Sequence, residues 1–491
     1  MKLFAKEDFE ESVDPEKLIE AKIENNNIED IVEEYDNDMT VASEGFLRAS
    51  NDLFIVRDIK TSLESKKLSS IEYFTSIENF NLYMKSITNN LGIKTKLPSI
   101  EDFKNPYGIQ TSHELVMEGF VDILRNIWEK IKEFFKAFFK KVMLFLKRLY
   151  GADLELDEYE KYIDDLIHKV KASGRDKIAE SIKVSSKLPL FLADPGVETI
   201  GTEYILTKAE HKLMNLTDVT NHLTNKELLN LIKNIENKFK NNIKPLIKTT
   251  LDKYKSEKDY INESSNQHNI SKSPVEQFSD IRHELIGLIE TFMFKNHINN
   301  SNEIPDDVWN KAMGYFDSDE LKSENLEIRS LVNRKVNTDI LPKNFNLYLL
   351  VANGDRILLS VYTETNDYVR NEIPTISNAN DLLKFYDFYK QFSKRVNIKQ
   401  IDDSINRVSH ILQDTLASIR DTFVYDIKID LNDHEEANDE LDAIRDFEKF
   451  LVNYINSLEV LIKEISVNLV SVMAQTKYHL IKYVYDCAKQ F

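Results

Sequence analysis

Apolar residues recur at helical spacing along most of the chain. Phe120, Leu124, Ile127, Ile131, Phe134, Phe138, Val142, Phe145 and Leu149 follow one another at three- and four-residue steps and share one helical face. Val121, Ile123, Trp128, Phe135, Phe139 and Leu146 widen that face beyond the stripe an ordinary surface helix buries. This predicts a long helix over residues 118–150, stopped by Gly151, with a shorter helix from about 158 to 185. Helical spacing also marks Phe46, Leu47, Leu53, Phe54 and Ile59, then Ile71, Phe74, Ile77, Phe80, Leu82 and Met84. Further helices are expected over about 207–257, over 401–423 and from about 441 to the C-terminus. In the last, Ile444, Leu451, Leu458, Ile465 and Val472 step by seven, and Ile455, Ile462 and Leu469 fill the second seam position. The simplest reading pairs this helix with 401–423 as a helical hairpin; self-association of chains through the C-terminal helices is the alternative.

One region reads as β instead. Asn346 to Val351 and Ile357 to Tyr362 flank Asn353-Gly354-Asp355, the signature of a β-hairpin. The expected fold is therefore mainly α: an elongated, multi-domain helical protein with long helical hairpins and one small β-hairpin insertion. Its expected organisation begins with an acidic propeptide or disordered tail over 1–44, then a helical region and connector over 45–117. The long basic amphipathic helix (118–150) and a helical domain (151–262) follow. A polar linker (263–277) leads to a C-terminal helical domain (278–491) with the hairpin near 346–362 and the heptad-patterned helix over 441–485.

Composition fits this picture. The 491 residues include only 11 Gly and 10 Pro, few for a turn-rich β protein, and 42% are hydrophobic, enough for substantial cores. The single Cys487 excludes an intramolecular disulfide. Neither a signal-peptide core nor an apolar run long enough to cross a bilayer is visible, so synthesis in the cytoplasm and no integral membrane segment are expected.

Charge changes the picture more, because it is unevenly placed. Residues 1–44 hold 15 Asp or Glu against four Lys, a net of −11 out of −19 for the chain. Residues 119–150 hold eight Lys or Arg against Asp122, Glu129 and Glu133, a net of +5. An acidic leader could thus mask a basic helix by electrostatic attraction. Three roles for the 118–150 helix stay open: a covered core helix, a membrane-surface segment with its basic flank on anionic headgroups, and an assembly helix. Its candidate contact residues are Phe120, Leu124, Ile127, Trp128, Ile131, Phe134, Phe135, Phe138 and Phe139, with Lys136, Lys140 and Lys141 on the basic side. The aromatic residues do not lie among the lysines, so no specific nucleic-acid site is evident.

Catalytic patterns are lacking. His283-Glu284-Leu285-Ile286-Gly287 has no second histidine one helical turn on, no Gly-rich phosphate loop or Gly-x-Ser-x-Gly elbow occurs, and Cys487 has no partner pattern. The acidic run 430–442 lacks the central glycine and alternating ligands of a calcium loop. No enzyme activity, metal or cofactor is expected.

Two Glu-Gly-Phe steps stand out, at Glu44-Gly45-Phe46 and Glu118-Gly119-Phe120. The first falls where the acidic run ends. With LPSIEDF at 97–103 and HELVMEGFVDILRNIWEKIKEF at 113–134, the chain resembles internal head proteins of large-genome tailed phages with contractile tails. The resemblance implies a virion structural protein in the capsid interior, trimmed after glutamate by a prohead protease, associated with other virion proteins, and either retained or ejected with DNA. Ala42-Ser43-Glu44 before Gly45 fits a small-x-Glu cleavage motif, and Val116-Met117-Glu118 before Gly119 approximates a hydrophobic-x-Glu motif. The small-x-Glu triplet also ends at ten other glutamates, so context selects Glu44 rather than the triplet itself.

Overall fold

The computed structural model describes residues 28–65, 70–93, 96–98, 109–174, 183–185, 220–255, 272–294, 298–300, 332–336, 345–352, 356–363, 372–424 and 435–491, with a few single positions and pairs between 201 and 218, and residues 306 and 310. The protein is mainly α, as its periodicity predicts. Helices α1 (Ile28–Ser65) and α2 (Ser70–Leu91) lead to α3 (Ile109–Ser173), whose 65 residues would run about 98 Å at 1.5 Å per residue. Then come α4 (Leu228–Lys238) and α5 (Lys244–Lys255), each preceded by a π-helical turn, and α6 (Pro274–Phe294). The C-terminal part contains α7 (Ala379–Arg395), α8 (Ile398–Phe423), α9 (Glu435–Lys463) and α10 (Val470–Ala488).

The long helix is longer than expected at both ends. Gly151 does not stop it, because Ala152, Leu156, Ile163, Ile167 and Val170 continue the buried face. Their burial offsets the roughly 1 kcal/mol that an interior glycine costs relative to alanine. What was expected as a separate helix from 158 is the last part of α3. Gly174, at φ +64°, ends it in the left-handed conformation that glycine adopts without steric cost, and Gly92 at φ +67° ends α2 in the same way. Start signals are equally local. Asn378 and Asn397 accept hydrogen bonds from the backbone N–H groups of Asn380 and Gln400. Ser273 and Glu276 form a reciprocal capping box ahead of α6, with Pro274 at its first position.

The acidic leader is not a plain tail over its second half. Residues 28–44 form the first turns of α1, and Ile31, Met39 and Ala42 are buried; residues 1–27 lie outside the described residues. The predicted hairpin is present as β4 (Phe345–Ala352) and β5 (Arg356–Thr363), in antiparallel register from Phe345 opposite Thr363 to Ala352 opposite Arg356. It is larger than expected, since β2 (Ile298–Asn300) and β3 (Val332–Val336) extend it to four strands in the order β2-β3-β4-β5. A second sheet pairs β1 (Lys183–Ser185) with β6 (Glu372–Pro374). The Asn-Gly turn, most of the 263–277 linker and the start of the 430–442 acidic run lie outside the described residues.

Around α3 the helices assemble into one core. Helix α1 lies antiparallel along its first two thirds and α8 along another side, while α10 and α7 cover its last third. Helix α9 packs on α1, α6 and β5, not chiefly on α8 as the heptads suggest. The heptad positions Ile444, Leu451, Ile455, Leu458, Ile462, Ile465 and Leu469 are all buried within the chain's own core. A π-helical stretch, Glu464–Leu469, separates α9 from α10; its wider turn rotates the buried face between the two.

Candidate functional site

The two Glu-Gly-Phe steps have the same geometry. In each, the glutamate is exposed, the glycine sits where another segment approaches closely, and the phenylalanine is fully buried. A Cβ on Gly45 would lie 2.5 Å from the Phe134 ring of α3, and one on Gly119 would lie 2.9 Å from Leu97. Phe46 meets Phe135 at 6.0 Å between ring centroids, and Phe120 meets Phe80 at 4.8 Å. The steps therefore mark close packing, against helix α3 at Gly45 and against the segment after α2 at Gly119. Both lie inside helices, Glu44 in α1 and Glu118 in α3.

The surroundings of the two differ. Glu44 pairs with Arg48 at 3.4 Å on the surface, and Ser43 beside it is half-buried, with Ala42 turned to the core. Val116 and Met117 are buried, and Glu118 lies ten residues into α3. The N-terminal part of α1 does lie on the basic end of α3. Arg148 donates to Glu34 at 2.9 Å, Lys141 pairs with Asp38, and Tyr35 meets the Phe145 ring at 6.0 Å. These ion pairs are half exposed and screened by solvent, and the buried Ile31, Met39 and Ala42 also hold the segment.

The apolar face of α3 is covered by the chain itself. Phe120, Leu124, Ile127, Trp128, Ile131, Phe135, Phe138 and Phe139 are buried, and Phe134 is half-buried against Gly45. Of the three open roles, the covered core helix is the one this structure shows: the residues that would enter lipid are enclosed by the chain itself. No described helix is long and apolar enough to cross a membrane. Lys136 and Lys140 remain exposed, whereas Lys141 is drawn to Asp38.

Two buried charge arrangements escaped the sequence reading. Lys477 of α10, 1% exposed, reaches Asp153 at 2.5 Å and Asp157 at 3.1 Å on α3. Burial pushes Asp153 above the usual aspartate range, and Lys477 opposes that push. One and two turns on, Ser393 and Lys390 of α7 reach Glu160 and Asp164. The other is Arg57 of α1, which donates to Glu448 of α9 at 2.8 Å and to the Phe423 carbonyl at 3.0 Å, capping the end of α8. Glu459, also on α9, is fully enclosed, and neither carboxyl oxygen has a hydrogen-bond partner. Burial holds it well above the usual glutamate range against the opposing field of Lys463. The available signal was a lone charge within an apolar helical pattern, but pairing partners more than 300 residues away carry no local mark. Cys487 is buried, accepts from the Ile376 N–H at 3.3 Å, and is pushed up to about 12 by burial, so it is no nucleophile. Among the described residues, no group of three or more His, Cys, Asp or Glu is arranged to hold a metal.

Compared with known proteins, residues 80–308 match the family model of phiKZ-like phage internal head proteins. The match spans α2 to α6 and contains the second Glu-Gly-Phe step. It covers residues 97–134, which carry the resemblance, so this part of the chain is similar to phage internal head proteins. No curated protein and no solved structure matches the chain.

Proposed function

We propose that the chain is a structural, non-enzymatic protein of the phage head interior, cleaved after Glu44 during head maturation and carried out of the head with the genome. The family match over residues 80–308 is the observation that carries the head-interior assignment. Glu44 is favoured over Glu118 by its setting. A cut after Glu44 detaches a segment held by exposed ion pairs and a few apolar side chains, and α1 from Gly45 onward keeps its grip on α3. A cut after Glu118 would sever α3 beside the buried Val116, Met117 and Phe120. Because the Glu44–Gly45 bond lies seventeen residues into α1, a protease groove that takes extended backbone requires local unwinding of that part of the helix.

Peptide mass mapping of the protein from mature particles tests the cut. An N-terminal peptide beginning at Gly45 is expected; particles holding only chains that retain residues 28–44 would sink the processing step. Release with the genome predicts that particles emptied of DNA lose the protein. Emptied particles that keep it in full amount would overturn that step and leave the head-interior role standing.

A further inference from the structure

Glu459 sits behind the segment whose detachment is at issue. At about 100° per residue, Glu459 lies roughly 20° around α9 from Glu448 and 40° from Lys463. Both of those residues touch α1: Glu448 accepts from Arg57 at 2.8 Å, and Lys463 donates to Thr40 at 2.9 Å. The two contacts show α1 and α9 running antiparallel. Glu459 therefore points at α1 near the turn from Ser43 to Leu47, where the leader joins the rest of the helix.

We infer that the N-terminal turns of α1 form a proton-coupled latch, docked while Glu459 is enclosed and neutral, and released as that carboxyl ionises. A carboxylate without a donor in a dry interior is strongly disfavoured, so the enclosed form of Glu459 holds a proton. Lifting residues 28–44 admits water to this face of α9 and lets the carboxyl ionise. Docking thus takes up one proton. Its contribution is fully present below the ordinary glutamate value of 4.5 and is lost as pH rises through the raised value of the docked state. In that window the docking constant falls by up to tenfold per pH unit.

The charges around the carboxyl do not supply this coupling by themselves. Lys463, one turn on, favours the ionised form but is outweighed by burial. Arg57 and Glu448, three turns back, neutralise each other. On α1, Glu44 pairs with Arg48, and Asp38 and Glu34 pair with Lys141 and Arg148 of α3. Strand β5 carries Arg356 as its one charged residue, at its start. Helix α6 packs on the opposite face of α9, where Tyr454 donates to the Leu285 carbonyl at 2.7 Å. The latch operates whether or not the bond after Glu44 is cut.

Hydrogen exchange of the full chain, corrected for the intrinsic pH dependence of exchange, reads the docking directly. Protection of peptides within residues 28–44 is expected to fall at least tenfold between about pH 5 and pH 8, while α8 keeps its protection. In Glu459→Gln the protection of 28–44 is expected to be the same at both pH values, with Glu459→Met as a second variant in case glutamine perturbs the fold. The inference is overturned by a wild-type leader equally protected at both pH values. It is also overturned by loosening that affects α8 as much as the leader, or by either folded variant retaining the wild-type pH response.

Discussion

Gly45 illustrates how much one missing side chain can decide. Gly45→Ala places a methyl carbon 2.5 Å from the Phe134 ring, so the half-buried ring or the helix that carries it must shift to admit it. The substitution is expected to cost about 1–3 kcal/mol in denaturant unfolding. Phe134→Ala in the same chain should recover part of that loss, giving a double-mutant coupling energy well above zero. Lys477→Met leaves Asp153 enclosed without its cation and is expected to cost about 3–5 kcal/mol, read as a lower denaturant midpoint. The Glu-Gly-Phe repeat was legible as a repeat, and its charge context favoured the first copy. Its packing meaning was not legible, because a glycine that admits a close helix and one that suits a protease groove look alike in a sequence.

At the scale of elements, periodicity located the helices well and their ends poorly. The apolar face of α3 reads directly from the three- and four-residue steps, and the enclosed Phe138 confirms its direction. Phe138→Glu is expected to unfold the protein, seen as loss of far-ultraviolet circular dichroism, while Phe134→Glu at a half-buried position should be milder. Gly151 misled because glycine in a helix is a matter of about 1 kcal/mol, which neighbouring buried residues can outweigh. It is exposed, and a Cβ there would meet nothing within 4 Å. Gly151→Ala should therefore raise stability by about 0.5–1 kcal/mol, measured as a higher melting temperature. The heptads of α9 and α10 correctly marked buried positions but could not say which helix would bury them, and a π-helical turn shifts the seam midway. The added strands β2 and β3 are three and five residues long, too short to show alternation.

For the whole molecule, the buried side chains from Ile31 in α1 to Ala488 in α10 form one connected core, whereas the polar stretch at 263–277 suggests a division. A connected core predicts cooperative unfolding. In a Trp309→Phe background, the fluorescence of the enclosed Trp128 and the far-ultraviolet signal should lose their native values in one coincident transition. Two separated transitions would instead show that the regions on either side of the polar stretch fold independently.

The bond from Arg57 to Glu448 spans 391 residues. At about 5–20 residues per second, a ribosome needs roughly 20–80 s to add that much chain after Arg57 is made. Through that interval the first helices are synthesised without the partner that encloses their buried arginine, so α1 reaches its final seat only near the end of synthesis. The bond after Glu44 thus has two lifetimes of exposure: an early one on the growing chain, and a later one set by how often the closed molecule lets its first turns go.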